Sequence, residues 1–146
     1  MIYKVTKICN PRSFLSFAVD KSKIVSFCTF KSVHKKDLTQ GYFDFFEKIE
    51  KFRYFPVTET YAQYQHYRSG QKFHYYTLTE ELKNIILNYD ISEWKNPNLP
   101  EDIAFYNEKQ PWFFSISHEE IYYFVTNDNR LMKDLKDLGI EFSEVM

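Results

Sequence analysis

Two serines, a histidine and two glutamates stand together between aromatic runs in PWFFSISHEEIYYF, residues 111–124. Such side chains can supply a nucleophile, a general base or metal ligands. One alternative that the pattern leaves open is a small hydrolase using His118 with Glu119 or Glu120. However, HEEIY has no second histidine where zinc hydrolases with the HExxH motif carry one. We therefore expect no metal site here.

Strand geometry favours a different interpretation of the same stretch. Neighbouring side chains of a strand point to opposite faces. The pattern therefore predicts one row made of Trp112, Phe114, Ile116 and His118. Ser117 would point away from His118, although a nucleophilic serine needs its base within about 3 Å. We interpret the stretch as a hairpin in which SHEE is the turn, with His118 at the rim of the core, and we assign no catalytic residue.

A second candidate is the tyrosine-rich stretch YFPVTETYAQYQHYRSGQKFHYY, residues 54–76, which holds six of the twelve tyrosines. Tyrosine and arginine are enriched at the energetically important positions of protein interfaces. We predict Tyr61, Tyr64, Tyr67 and Arg68 as partner-binding residues. Aromatic rings interleaved with cations also stack single-stranded bases, so nucleic-acid binding through this stretch is a further alternative.

A third candidate is the carboxylate pair Glu101 and Asp102, which follows Pro100. Paired acids can perform acid–base chemistry. Directly before a strand, however, they are typical of a solvated turn or of charges that protect a sheet edge. We adopt that second interpretation.

Nothing in the sequence indicates a cofactor. The three glycines, at positions 41, 70 and 139, are isolated, so a phosphate-binding loop is not expected. Cys9 and Cys28 have no metal-ligand spacing to another cysteine or histidine. The amino-terminal residues lack the apolar core of a signal peptide, and no apolar run is long enough to span a bilayer. We therefore predict a cytoplasmic protein.

Charge and aromatic content are the unusual features of the composition. The chain is 20% aromatic, and its net charge is −1. Residues 1–76 carry 13 Lys and Arg against 6 Asp and Glu, whereas residues 77–146 carry 6 against 14. Such asymmetry can mark a charged binding surface. The competing interpretation is that the two halves pack together and their fields partly cancel.

The apolar pattern predicts an α+β fold with an antiparallel sheet. In the first half we predict a strand in MIYKVTKI, a hairpin of SFLSFAVD and KIVSFCTFKS around residues 20–23, and a helix from residue 37 towards Pro56. We predict a further strand in QKFHYYTL and a helix in TEELKNIILNY, whose capping box is Thr77 with Glu80. The tail reads as a three-strand meander, IAFYNE, PWFFSIS and IYYFVT, followed by the helix NDNRLMKDLKDLG and the strand IEFSEV.

The tail LPEDIAFYNEKQPWFFSISHEEIYYF, followed by LMKDLKDLGIEF, resembles the carboxy-terminal part of small bacterial immunity proteins, which neutralise toxins of neighbouring cells. The shared order is Pro100, Glu101, Asp102, Trp112, Ser117, His118 and Glu119, and it covers about a third of the chain. The resemblance implies a cytosolic, non-enzymatic protein binder of bacterial or phage origin. It defines no site residues.

Taken together, these features predict one α+β domain over residues 1–146. Its mainly antiparallel sheet combines amino-terminal strands with the carboxy-terminal meander and packs against about three helices. We expect it to bind a protein partner, a toxin or a host or defence protein, and to act by occlusion. Neither a nucleic-acid nor a membrane partner is expected, and the oligomeric state is left open.

Overall fold

A computed structural model describes residues 1–55 and 70–145 of the chain. The strands are β1 (Ile2–Ile8), β2 (Ile24–Phe30), β3 (Arg53–Tyr54), β4 (Gln71–Thr77), β5 (Glu101–Tyr106), β6 (Pro111–Ile116), β7 (Ile121–Val125) and β8 (Ile140–Glu144). They form one sheet in the order β3-β4-β2-β5-β6-β7-β1-β8, with every neighbouring pair antiparallel. The predicted α+β class and antiparallel sheet are confirmed.

Four α-helices connect these strands in the described part of the chain, one more than the sequence predicted. They are α1 (Pro11–Lys21), α2 (Gln40–Ile49), α3 (Glu80–Ile86) and α4 (Asn129–Asp137). Short 3-10 turns cover Lys35–Asp37, Glu50–Phe52, Ile91–Glu93 and Ser117–Glu119. No helix in the described ranges is long and apolar enough to cross a bilayer.

All four helices pack on one face of the sheet. Apart from Tyr42 of α2, their buried side chains belong to a single core cluster that also contains Val25 and Phe27 of β2. Because side chains alternate along a strand, Ser26 and Cys28 face the opposite side. A smaller cluster of Ala104, Tyr106 and Phe114 lies on that second face.

The predicted hairpin around residues 20–23 is wrong, because its first strand is helix α1. The side chain of Asn10 accepts a hydrogen bond from the Ser13 amide at 3.1 Å, and Pro11 occupies the first helical position. Asparagine is a favoured helix cap, and proline is pre-organised for a first turn. The helix buries Phe14, Leu15, Ala18 and Val19, a spacing of one helical face.

Two further predictions need correction. Helix α3 is capped by Thr79 and not by Thr77: the Thr79 side chain accepts from the Leu82 amide at 3.2 Å. Trp112 does not share a row with Phe114, because Trp112 and Phe113 both belong to the main core. The β5–β6 register slips between Phe105 and Tyr106, and this irregularity breaks the alternation.

The rest of the tail follows the prediction. The meander forms as β5, β6 and β7, α4 ends just before Gly139, and β8 closes the sheet beside β1. The turn between β6 and β7 is Ser117–Glu119, within the predicted SHEE.

Of the tyrosine-rich stretch, the structure describes β3's Tyr54, the neighbouring Phe55, and residues from Gly70 onward. The predicted contact residues Tyr61, Tyr64, Tyr67 and Arg68 lie outside the described residues. The predicted strand QKFHYYTL is confirmed as β4.

Candidate functional site

The central strands bring polar side chains together at one end of the sheet, here called the polar end. It contains the last residues of β2 and β6 and the first residues of β4 and β5. Its polar side chains are Cys28, Gln71, Glu101, Asp102, Ser117 and His118. Antiparallel pairing places them there: Phe30 faces Gln71, and Cys28 faces Glu101.

Asp102 and Ser117 form a reciprocal pair at this end. The Asp102 amide donates to Ser117 Oγ at 2.8 Å, and the Ser117 amide donates to Asp102 Oδ1 at 2.8 Å. Asp102 adopts a left-handed conformation, with φ 57°, where the β2–β5 register slips between Ser26 and Cys28. Aspartate tolerates this region better than most residues. The pair therefore fixes an irregular strand start to the turn after β6.

The neighbouring Ser115 also hydrogen-bonds to the backbone. Its Oγ donates to the Ile103 carbonyl at 2.8 Å and lies 3.5 Å from Ser117 Oγ. Neither serine hydrogen-bonds to His118. A nucleophilic serine needs a base within hydrogen-bond reach, so these two serines have none in the described structure.

His118 instead contacts carboxylates. Its Nδ1 lies 3.5 Å from Glu101 Oε1, and its Nε2 lies 3.8 Å from Glu119 Oε1. Its side chain is 38% exposed, against 10% for Glu101. Glu120, the other expected partner of His118, pairs with Lys95 at 3.3 Å. His118 thus lies between the buried carboxylate of Glu101 and the solvent.

The interpretation of Glu101 and Asp102 as a solvated turn or edge guard is wrong. Both residues are buried, with relative exposures of 8% and 5%, and both belong to the central strand β5. Because β2 and β6 flank β5 on both sides, β5 is not an edge strand, and the two acids cannot protect a sheet edge.

The residues best placed to hold a metal ion are Glu101, Asp102 and His118. One ligand atom from each lies within 4.8 Å of the others, a spacing that one divalent cation could bridge. The Asp102 carboxylate, however, already accepts from the Ser117 amide and from Gln71 Nε2, the latter at 3.3 Å. These hydrogen bonds fix the position of the Asp102 carboxylate within the fold.

Buried titratable groups beside this cluster are held neutral. Gln71 Nε2 also donates to Cys28 Sγ at 3.3 Å. Burial, and then the charge of Asp102, raise the pKa of the Cys28 thiol well above its usual value. Burial and then Glu101 raise the pKa of Tyr42 to about 12. Cys28 therefore stays a thiol at neutral pH and is a poor nucleophile.

Two clefts flank the turn after β6. One, of about 530 Å³, lies between the end of β1, the start of α1 and residues 90–92. The other, of about 540 Å³, lies along residues 92–99. Ser92 and Glu120 line both clefts, so the two clefts form one groove that Glu120 interrupts.

Sequence reasoning missed the approach of Glu101 to His118. The signal was present in the predicted meander. Ala104 faces Phe114 and Phe105 faces Phe113, so counting outward from the hairpin places Glu101 opposite Ser117. Glu101, at the start of β5, thus lies next to the turn that follows β6.

No family model, curated protein or solved structure matches the chain. The resemblance of the tail to immunity proteins therefore stays a prediction.

Proposed function

We propose that this chain is a non-enzymatic protein-binding protein of the immunity or inhibitor type, which neutralises a partner protein by occluding it. The reciprocal Asp102–Ser117 pair carries this proposal. Asp102 and Ser117, an acid and a hydroxyl that could otherwise serve in catalysis, are used to join β5 to the turn after β6. What they leave on the surface is a polar rim suited to recognition.

The exposed part of the polar end has the mixed character of such a rim. The side chains of Glu119 and Glu120 are 52% and 61% exposed, and Lys95 lies beside Glu120. A groove runs on both sides of Glu120. Charges at the edge of an interface govern the association rate and the choice of partner more than affinity.

The segment that precedes Gly70 in the sequence, and is joined through it to the polar end, contains the predicted contact residues Tyr61, Tyr64, Tyr67 and Arg68. The first described range ends at Phe55, which is 74% exposed. The second range begins at Gly70, next to Gln71 of the polar end. Large aromatic side chains ringed by charge are typical of interface hot spots. We propose that these tyrosines fill a site on the partner while the charged rim guides its approach.

The test compares binding with stability. Alanine at Tyr61, Tyr64 and Tyr67 should weaken capture of the partner from the source cell by at least about tenfold, which corresponds to about 1.4 kcal/mol. The melting temperature should stay nearly unchanged. Phe43→Ala is the matched control, because Phe43 is an exposed ring on α2. A large loss of stability in the tyrosine variant, or equal capture by all forms, contradicts the proposal.

The His118–Glu101 contact favours a second candidate, a small hydrolase, because a carboxylate can orient a histidine that acts as a general base. His118→Gln separates the two candidates. A hydrolase loses turnover of ester or phosphodiester substrates in this variant, whereas a binder shows no turnover in either form and keeps its partner.

A further inference from the structure

We propose that the partner presents an acidic protein surface, recognised by Lys31, Lys35, Lys36 and Lys72, here called the lysine group. This inference rests on the proposed binding function and names the chemistry of the partner. The four side chains are exposed and lie around the last residues of β2.

Strand pairing brings the lysine group together. Thr29 of β2 faces Lys72 of β4, and the Lys31 amide donates to the Gly70 carbonyl at 3.1 Å. Lys31 and Lys72 line one cleft of about 350 Å³. The chain then turns at Val33, whose amide donates to the Phe30 carbonyl at 3.3 Å, and enters the 3-10 turn that carries Lys35 and Lys36.

The lysine group forms no ion pair in the described ranges, although Asp37 follows Lys36 in the same 3-10 turn. None of its four ammonium groups lies within 4.0 Å of a described carboxylate, whereas Lys51, Lys83 and Lys95 each do. The charge asymmetry of the sequence is therefore not fully cancelled by packing at this end. Uncompensated surface charge raises the association rate with an oppositely charged partner.

Neighbouring groups favour a protein over a nucleic acid. The exposed residues Glu119 and Glu120 lie at the same end of the sheet, and their carboxylates would repel a continuous phosphate backbone. A folded protein can place its acids opposite the lysines and avoid the glutamates.

The aromatic rings of the described residues also favour a protein partner over a nucleic acid. Base stacking needs exposed rings beside the cations. Among residues 1–55 and 70–145, the exposed Phe, Tyr and Trp rings are Phe43 and Phe55, and the exposed ring beside Lys35 is the small imidazole of His34. Phe55 lies 5.4 Å from the guanidinium of Arg53, which faces Tyr76 and not Lys72.

The experiment uses two labelled polyanions of different chemistry, poly-L-glutamate and single-stranded oligothymidylate, with fluorescence anisotropy at low and at physiological salt. The test variant is Lys31→Glu with Lys72→Glu. The matched control is Lys23→Glu with Lys109→Glu, which changes the charge equally at the opposite end of the sheet. There Lys23 donates its amide to Tyr106, and Lys109 lies between β5 and β6.

We expect poly-L-glutamate to bind at low salt, the test variant to lose at least about tenfold in affinity, and the control to lose less than about twofold. Oligothymidylate should bind more weakly than poly-L-glutamate. Absence of poly-L-glutamate binding, equal losses in both variants, or tighter binding of oligothymidylate each overturns the inference. Equal melting temperatures of the three forms exclude unfolding as the cause.

Failure of this inference is distinguishable from failure of the proposed function. If the lysine variant captures the cellular partner as well as the wild type while the tyrosine variant does not, binding stands and the acidic character of the partner is wrong. If both variants capture as well as the wild type, neither surface contacts the partner.

Discussion

Asp102 and Ser117 satisfy each other's backbone amide, each through a side-chain oxygen at 2.8 Å. Two residues fifteen positions apart thus close the end of the β5–β6 hairpin away from its connecting turn. The bond pair is buried, so no water replaces it when one partner is removed.

Asp102→Ala should lower the free energy of unfolding by about 2–4 kcal/mol, because it removes an acceptor from the buried Ser117 amide and leaves alanine in a left-handed conformation. Asp102→Asn keeps one acceptor and should lose less. Urea denaturation measures both. Asp137→Ala, at an exposed carboxylate on α4, is the control and should change stability little. Equal stabilities of Asp102→Ala and Asp137→Ala would show that the pair does not hold the hairpin.

The two cysteines should differ sharply in reactivity. Cys9 is exposed, whereas Cys28 is buried and its thiol pKa is raised. Because the thiolate is the reactive form, a disulfide reagent should modify one thiol per native chain and two in denaturant. Cys9→Ser should abolish the native reaction. Rapid native labelling of Cys28 would place it in an accessible site.

Stability should fall with acid through His74. Burial, followed by the charges of Arg53 and Lys72, lowers the pKa of His74 to about 4. Its Nε2 bonds to Thr29 Oγ1 at 2.8 Å, and its buried Nδ1 has no hydrogen-bond partner among the described residues. Below the unfolded pKa of about 6.5 the unfolded chain takes up the proton first, so stability is lost as pH falls from about 6.5 to about 4.

Urea midpoints between pH 7.5 and pH 4 measure this effect. His74→Gln, which keeps a group able to reach Thr29, should flatten the profile over that window. His34→Gln, at an exposed histidine, should leave the wild-type slope. A His74→Gln profile as steep as the wild type would assign the acid sensitivity to other groups.

Trp94 should be among the most costly core positions. It is fully buried, stacks on Phe27 at 5.0 Å and meets the rings of Phe45 and Tyr89 at 5.4 and 5.3 Å. Trp94→Ala should cost about 3–5 kcal/mol of unfolding free energy, because its cavity cannot collapse among these rings. Thermal unfolding measures the loss, and Phe43→Ala is the surface control. A loss below about 1 kcal/mol would mean that the core repacks.

The sequence predicted the positions of the meander strands and of β2 correctly. It failed at residues 14–19, where Phe14, Leu15 and Val19 satisfy both a strand-like run and a helical face. The cap at Asn10 and the proline after it decide for the helix. The candidate site was harder to predict from the sequence. The Glu101–His118 contact depends on the register of β5 and on a bulge at Asp102, which composition does not reveal.

Strand β1 lies between β7 and β8, the last two strands of the described chain. During synthesis β1 therefore has neither of its two partner strands until residues 121–144 have been made. During synthesis its amides and carbonyls must remain hydrated or be shielded by a chaperone. Chains truncated before β7 would expose β1 as an unpaired edge, which makes incomplete translation products candidates for aggregation.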